Sequence, residues 1–76
     1  MNEELRKRID DMRQDVDQVR EELERCIDEQ QAEFSERSDT EQESVTGQTQ
    51  EALIDALQGA MDGIETALEE FGNALN

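Results

Sequence analysis

Histidine, proline, tryptophan and tyrosine are absent from this sequence, and cysteine occurs once, as Cys26. Without histidine or a second cysteine, one chain cannot assemble the nucleophile–base pairs of hydrolases or the His/Cys ligand sets of zinc sites. At 76 residues the chain also buries too little apolar surface for a core with a substrate pocket. We therefore expect no enzymatic activity, no catalytic residue, and no metal or other cofactor.

The sequence also lacks targeting and membrane-spanning segments. It has neither the basic and apolar start of a secretory signal nor a run of about 18 apolar residues. A single cysteine cannot close a disulfide within the chain, which agrees with a reducing compartment. We therefore expect one cytoplasmic domain over residues 1–76 with no membrane contact. Cys26 is interpreted as a small apolar packing residue, with a redox or cross-linking thiol as the alternative.

Basic residues are scarce: the sequence contains seven Lys and Arg and 22 Asp and Glu, which gives a net charge of −15. This charge repels phosphate backbones and anionic lipids, which argues against direct nucleic-acid binding. The acidity has two interpretations. It keeps a surface hydrated in a salt-rich cytoplasm, where ions screen its self-repulsion, or it imitates a nucleic acid for a basic partner. Six of the seven basic residues are arginine, a bias that a GC-rich genome would also produce.

Apolar residues recur at alternating intervals of four and three from Leu5 to Cys26. This spacing predicts an amphipathic helix with a coiled-coil heptad repeat over about residues 3–34. Position a of the repeat holds Ile9, Val16 and Leu23, and position d holds Leu5, Met12, Val19 and Cys26. Past Cys26, Gln30 takes position a of the heptad, where apolar residues stood before. Gln30 is interpreted either as a polar residue that fixes the register of a helix pair or as a sign that the pair frays there.

A polar connector is predicted over about residues 36–48, which contain one clearly apolar side chain, Val45. Its Ser, Thr, Asp and Gly content is typical of helix ends and N-caps. The spacing of Ser38 and Glu41 is that of a capping box, in which each residue satisfies a backbone N–H of the other.

A second amphipathic helix is predicted over about residues 49–75, with Thr46 or Thr49 as N-cap candidates. It carries three apolar positions per heptad, a stripe wide enough to touch more than one neighbouring helix. Position a holds Leu57, Ile64 and Phe71, position d holds Leu53, Ala60, Ala67 and Ala74, and position e holds Ile54, Met61, Leu68 and Leu75. Small residues along one side of the stripe would allow two helices to approach closely. They are Ala56, Gly59, Ala60, Gly63 and Ala67.

The two halves of the chain differ in charge. Residues 1–37 hold seven bases and 13 acids, a net charge of −6, whereas residues 38–76 hold nine acids and no base, a net charge of −9. The second helix can therefore form salt bridges only with the first helix or with another molecule. Antiparallel packing would place it beside an arginine stripe at position e, unless these charges are simply solvated flanks. The predicted electrostatic residues are Arg6, Arg13, Arg20, Asp15 and Glu22.

Together these patterns predict an all-α protein, an antiparallel helical hairpin with coiled-coil packing that dimerises into a four-helix bundle. The predicted function is non-enzymatic assembly or protein–protein interaction, with a second copy of the chain and another protein as partners. The alternative is a small acidic inhibitor that mimics nucleic acid and blocks a basic nucleic-acid-binding enzyme. The predicted interface residues are Leu5, Ile9, Met12, Val16, Val19, Leu23, Cys26, Leu53, Ile54, Leu57, Ala60, Met61, Ile64, Ala67, Leu68, Phe71 and Leu75.

Overall fold

A computed structural model describes residues 2–76, and these residues form three helices and no strand. Helix α1 spans Glu3–Glu36, α2 spans Asp39–Glu43 and α3 spans Val45–Leu75. Helices α1 and α3 pack side by side into a rod of 58 × 14 × 14 Å. The chain is thus an all-α helical hairpin, as the heptad patterns predict.

Helix α1 begins with a capped and charge-compatible first turn. The side-chain Oδ1 of Asn2 accepts a hydrogen bond from the backbone N–H of Leu5 at 2.7 Å. Glu3 and Glu4 follow in the first turn, where carboxylates interact favourably with the positive end of the helix dipole. The observed end at Glu36 lies two residues beyond the predicted one.

The predicted connector over residues 36–48 is largely helical, which corrects the sequence-based boundaries. Ser38 starts α2 by accepting a hydrogen bond from the backbone N–H of Glu41 at 3.2 Å. This contact is one of the two expected of the capping box. Ser44 then starts α3 by accepting from the N–H of Gly47 at 3.2 Å, so the second long helix begins four residues earlier than predicted.

Neither predicted N-cap candidate, Thr46 or Thr49, occupies the cap, because both lie inside α3. The early start is possible because Gly47 is buried against the backbone of α2. A Cβ at Gly47 would overlap the carbonyl oxygens of Glu41 and Gln42 and lie 2.7 Å from the carbonyl carbon of Gln42. The absence of a side chain there lets the two helices meet directly, without a flexible linker.

Gln42 ties this reversal to the end of α1. Its Nε2 donates to the carbonyl oxygen of Phe34 at 3.2 Å and to that of Arg37 at 3.1 Å. The last carbonyls of a helix lack the usual partner within that helix. The Phe34 carbonyl accepts from the backbone N–H of Arg37 at 3.1 Å, and Gln42 adds a second donor to it and a donor to the Arg37 carbonyl. The connector is therefore a hydrogen-bonded structure that fixes where α3 returns along α1.

Two contacts at opposite ends fix the register of the hairpin. A guanidinium nitrogen of Arg6 donates to the carbonyl oxygen of Leu75, and Nε2 of Gln50 donates to Oε1 of Gln30 at 3.1 Å. Arg6 therefore lies level with Leu75, and Gln30 lies level with Gln50. These pairs show that α1 and α3 run antiparallel.

Candidate interaction surface

The face of α1 that meets α3 is built from heptad positions a and e, whereas the seam predicted from the sequence used a and d. The residues of α1 that are buried or half-buried recur every three or four positions and include Arg13, Arg20 and Ile27 at e. At position a they are Ile9, Val16, Leu23 and Gln30, at position e Arg13, Arg20, Ile27 and Phe34, and at the neighbouring position b Asp10 and Asp17. Position d is left out of this set.

The d residues of α1 are correspondingly exposed. Leu5, Met12 and Val19 keep 45%, 47% and 51% of their surface accessible, and Cys26 is exposed as well. The interpretation of Cys26 as a buried packing residue is therefore wrong for the single hairpin. These four residues form an apolar row along α1 that no other part of the described chain covers.

Helix α3 repeats this arrangement. The predicted interface residues Ile54 and Leu75 are buried, and others at positions a and e of α3 are half-buried: Leu57, Met61, Ile64, Leu68 and Phe71. Position d carries Leu53, which is 48% exposed, then Ala60 and Ala74, which are exposed, and Ala67, which is half-buried. Helix α3 thus uses two of its three apolar positions, a and e, within the hairpin and leaves position d open, as α1 does.

The two d rows lie on the same side of the hairpin. At the connector end, Glu33 at position d of α1 lines one groove together with Thr46 and Leu53 at position d of α3. On the opposite side, Arg13 lines a groove with Leu68, which holds position e of α3. Position d recurs every seven residues along each helix, so the d residues of α1 and α3 form two neighbouring rows on this one side of the rod. We call this surface the open face: Leu5, Met12, Val19 and Cys26 of α1 with Leu53, Ala60, Ala67 and Ala74 of α3.

Burial within the hairpin is shallow. Among residues 2–76 the buried hydrophobic side chains are Ile27, Ile54 and Leu75, and none of them is completely enclosed. The accessible surface is 5636 Å², about 900 Å² more than the roughly 4,700 Å² expected of a compact 8.7 kDa monomer. The excess reflects the elongated rod of 58 × 14 × 14 Å, in which each long helix has only one helical neighbour.

The predicted arginine stripe lies at the edge of the hairpin opposite the open face, but it does not bridge to the acids of α3. Arg13 pairs with Asp10 at 2.5 Å, and Arg20 pairs with Asp17 at 3.0 Å and Glu24 at 3.5 Å. Every ion pair found among residues 2–76 joins residues three or four apart in sequence. Such exposed pairs contribute at most about 1 kcal/mol each.

The predicted electrostatic residues differ in their partners. Arg6 contacts α3 through the Leu75 carbonyl and not through a carboxylate. The hydrogen bond from Arg20 to Asp17, with the attraction between their charges, raises the pKa of Arg20 above its usual value. Asp15 and Glu22, at position g, are exposed and form no ion pair within the described chain.

A polar cluster that the sequence did not predict closes the connector end. Gln50 is buried, accepts a hydrogen bond from Nε of Arg37 at 2.7 Å and donates to Gln30 at 3.1 Å. Arg37 also lies 3.9 Å from Glu33. Gln30 therefore has a defined partner across the hairpin, which favours the register-fixing interpretation over fraying. Gln50 lies seven residues before Leu57, so continuing the heptad repeat of α3 toward its N-terminus places Gln50 at position a, facing α1.

The described residues contain no cluster of three or more metal-ligating side chains, and no helix among them is long and apolar enough to cross a membrane. No known family model matches the chain, and neither a curated protein nor a solved structure is detectably similar to it.

Proposed function

We propose that this chain is a non-enzymatic assembly module that self-associates through its open face to form a dimeric four-helix bundle in the cytoplasm. The observation that carries the proposal is the pair of exposed apolar rows on one side of the hairpin. Leu5, Met12, Val19 and Leu53 are each about half exposed, in a chain where most other surface positions are charged or polar. Contiguous apolar surface of this kind is rare on a protein that functions as a monomer.

A second copy of the chain is a suitable occupant because the open face is present on each copy and runs along both long helices. Three apolar positions per heptad also suit a helix with two helical neighbours. The hairpin supplies one neighbour for each long helix, and a second hairpin would supply the other.

The charge distribution supports the same occupant. Helix α3 carries acids but no bases, and no ion pair links it to α1 within the described hairpin. Lys7, Arg8 and Arg25 of α1 also take part in no ion pair there. A second copy therefore brings basic residues that the acid-only helix lacks.

Light scattering of the purified chain at tens of micromolar in moderate salt tests this proposal. We expect twice the 8.7 kDa chain mass. The monomer mass under these conditions would contradict self-association. Capture of a different helical protein on the open face of a monomer would show that the occupant is not a second copy.

A matched pair of variants tests the surface itself. Val19 lies on the open face, whereas its neighbour Gln18 is exposed at position c and lines the groove on the opposite side of the hairpin. Val19→Glu and Gln18→Glu each add one negative charge. Burying an unpaired charge costs about 3–5 kcal/mol, so we expect Val19→Glu to weaken the dimer at least a hundredfold and Gln18→Glu to leave it nearly unchanged. Equal effects would exclude the open face as the interface.

A further inference from the structure

We propose that the two hairpins of the dimer lie with their connectors at the same end, related by a twofold axis along the bundle, so that α1 of one copy packs antiparallel against α3 of the other. This inference rests on the proposed self-association and adds the arrangement of the copies. The competing arrangement has its twofold axis across the bundle, which places the connectors at opposite ends and packs α1 against α1 and α3 against α3.

The register of the hairpin determines which residues would meet. A rotation about the bundle axis leaves every residue at its own height, so α3 of the partner lies at the same level as α3 of the same chain. Arg6 is level with Leu75, and Gln30 is level with Gln50. The d rows therefore meet in register to within about two residues, or roughly 3 Å at 1.5 Å of rise per residue.

Side-chain sizes are complementary in this arrangement. Each large d residue of α1 faces an alanine of the partner's α3, and the small d residue of α1 faces the large one. The resulting pairs are Leu5 with Ala74, Met12 with Ala67, Val19 with Ala60, and Cys26 with Leu53. Each contact between α1 and the partner's α3 then pairs one large with one small side chain in every layer, which allows constant spacing between the helices.

The competing arrangement distributes the same residues unevenly. It would pair Met12 with Val19 between the two copies of α1, and Ala60 with Ala67 between the two copies of α3. One helix pair would then be held apart by large side chains while the other is drawn together. It would also place two acid-only helices in contact, each from a segment with a net charge of −9 and no base.

Charges beside the d rows also favour the proposed arrangement. Position g flanks d at the outer edge of each helix and carries Arg8 on α1 at about the level of Glu70 on α3. Within one hairpin these two residues lie on opposite outer edges, whereas between copies they would be neighbours. The remaining g residues of the α3 stripe are Thr49, Ala56 and Gly63. Because these are uncharged, the g acids of α1 meet no like charge.

Gly63 is compatible with the proposed contact; Gly59 and Gly72 are equally open within the hairpin, so openness alone does not select Gly63. A glycine inside a helix costs about 1 kcal/mol relative to alanine, yet a Cβ at Gly63 would meet nothing within 4 Å in the hairpin. Packing within the hairpin therefore does not require this glycine. In the proposed dimer Gly63 lies at the outer edge of the contact with the partner's α1, near Asp15, where a small residue leaves room for the approaching helix.

Disulfide trapping with the native Cys26 distinguishes the two arrangements, because a disulfide forms only when the two Cβ atoms come within about 4.5 Å. In the proposed dimer Leu53→Cys places a thiol opposite the partner's Cys26, whereas in the competing dimer Leu5→Cys does so. We expect mild oxidation to convert most of the Leu53→Cys chain into a covalent dimer on a non-reducing gel, with Leu5→Cys remaining at the level of the unmodified chain. The double variant Leu53→Cys/Cys26→Ala is the control and should not cross-link.

Preferential trapping of Leu5→Cys, or a disulfide within one Leu53→Cys chain, would overturn the arrangement while leaving self-association intact. A monomer mass in light scattering would instead overturn the proposed function.

A charge exchange provides a second measurement that needs no cysteine. We expect Arg8→Glu and Glu70→Arg each to weaken the dimer by about two- to fivefold and the combined variant to recover most of that loss; additive losses would contradict the pairing.

Discussion

Gln50 and Gln30 share a hydrogen bond across the hairpin, with Nε2 of Gln50 lying 3.1 Å from Oε1 of Gln30. Gln50 is buried, and its own Oε1 accepts from Nε of Arg37 at 2.7 Å. The side chain of Gln50 thus connects α3 both to Gln30 of α1 and to Arg37, the residue that follows α1. This polar layer lies next to the connector and holds the two long helices in one register.

We expect Gln50→Leu to lower the free energy of unfolding by about 1–3 kcal/mol, because it leaves the Arg37 guanidinium and the Gln30 amide without their partner. Gln48→Leu is a suitable control, since Gln48 is exposed on the same helix. Its one side-chain hydrogen bond is made to the nearby carbonyl of Glu43. Urea unfolding followed by circular dichroism measures both changes. A Gln50→Leu chain as stable as the parent would show that the polar layer contributes no net stability.

Two glycines of α3 are predicted to respond in opposite directions to the same substitution. Gly47→Ala would drive a methyl group into the backbone of Glu41 and Gln42, so we expect a loss of at least about 2 kcal/mol. Gly59→Ala adds a methyl group where nothing lies within 4 Å, so we expect a gain of about 0.5–1 kcal/mol from helix propensity. Thermal melts of the two variants compare them directly, and a stabilising Gly47→Ala would refute the close approach.

The positions of the two long helices follow from the heptad spacing, whereas the face through which they meet does not. Arg13 and Arg20 occupy position e and are half-buried beside α3, yet a pattern of apolar residues does not count arginine as part of a packing face. Their methylene stems can cover apolar surface while the guanidinium groups reach carboxylates. Past Cys26 the apolar residues of α1 are Ile27 and Phe34, both at position e, and this sequence feature indicates the a/e face.

The connector was mispredicted because its order depends on contacts that a local pattern does not contain. Ser44 becomes an N-cap because Gly47 allows the backbone of α3 to meet that of α2. Gln42 becomes a cap of α1 only after the chain has turned back. Polar composition correctly located the reversal at the middle of the chain. It could not distinguish a flexible loop from one short helix closed by side-chain hydrogen bonds.

The substitution Ile64→Asp tests which face of α3 packs on α1. Ile64 is half-buried near the middle of the helix, and its neighbour Glu65 is exposed. Ile64→Asp places an unpaired charge in the contact and should cost several kcal/mol, against a total stability of about 5 kcal/mol for a chain of this size. We expect loss of helical circular dichroism or dissociation of the assembly, with Glu65→Ala nearly silent. Equal losses from the two changes would show that α3 packs through a different face.

The response of the protein to salt distinguishes acidity that keeps the surface hydrated from acidity that binds a basic partner. The net charge of −15 creates self-repulsion, and the ion pairs of α1 are all exposed enough to be screened as well. Ions screen such charges beyond about 8 Å at physiological strength and beyond about 3 Å at 1 M. Because acids outnumber bases three to one, loss of repulsion outweighs loss of attraction. We therefore expect the melting temperature and the dimer affinity to rise as KCl increases from dilute buffer to molar concentration.

A circular dichroism melting series across KCl, with light scattering at the same concentrations, measures both quantities. A protein adapted to a salt-rich cytoplasm would gain stability throughout the series. A surface that imitates nucleic acid for a basic partner would instead form a complex that weakens as salt increases, because complementary charges lose their attraction. Helicity that fell steadily with added KCl would contradict the self-repulsion argument. It would mean that pairs such as Asp17–Arg20 contribute more attraction than the unpaired acids of α3 contribute repulsion.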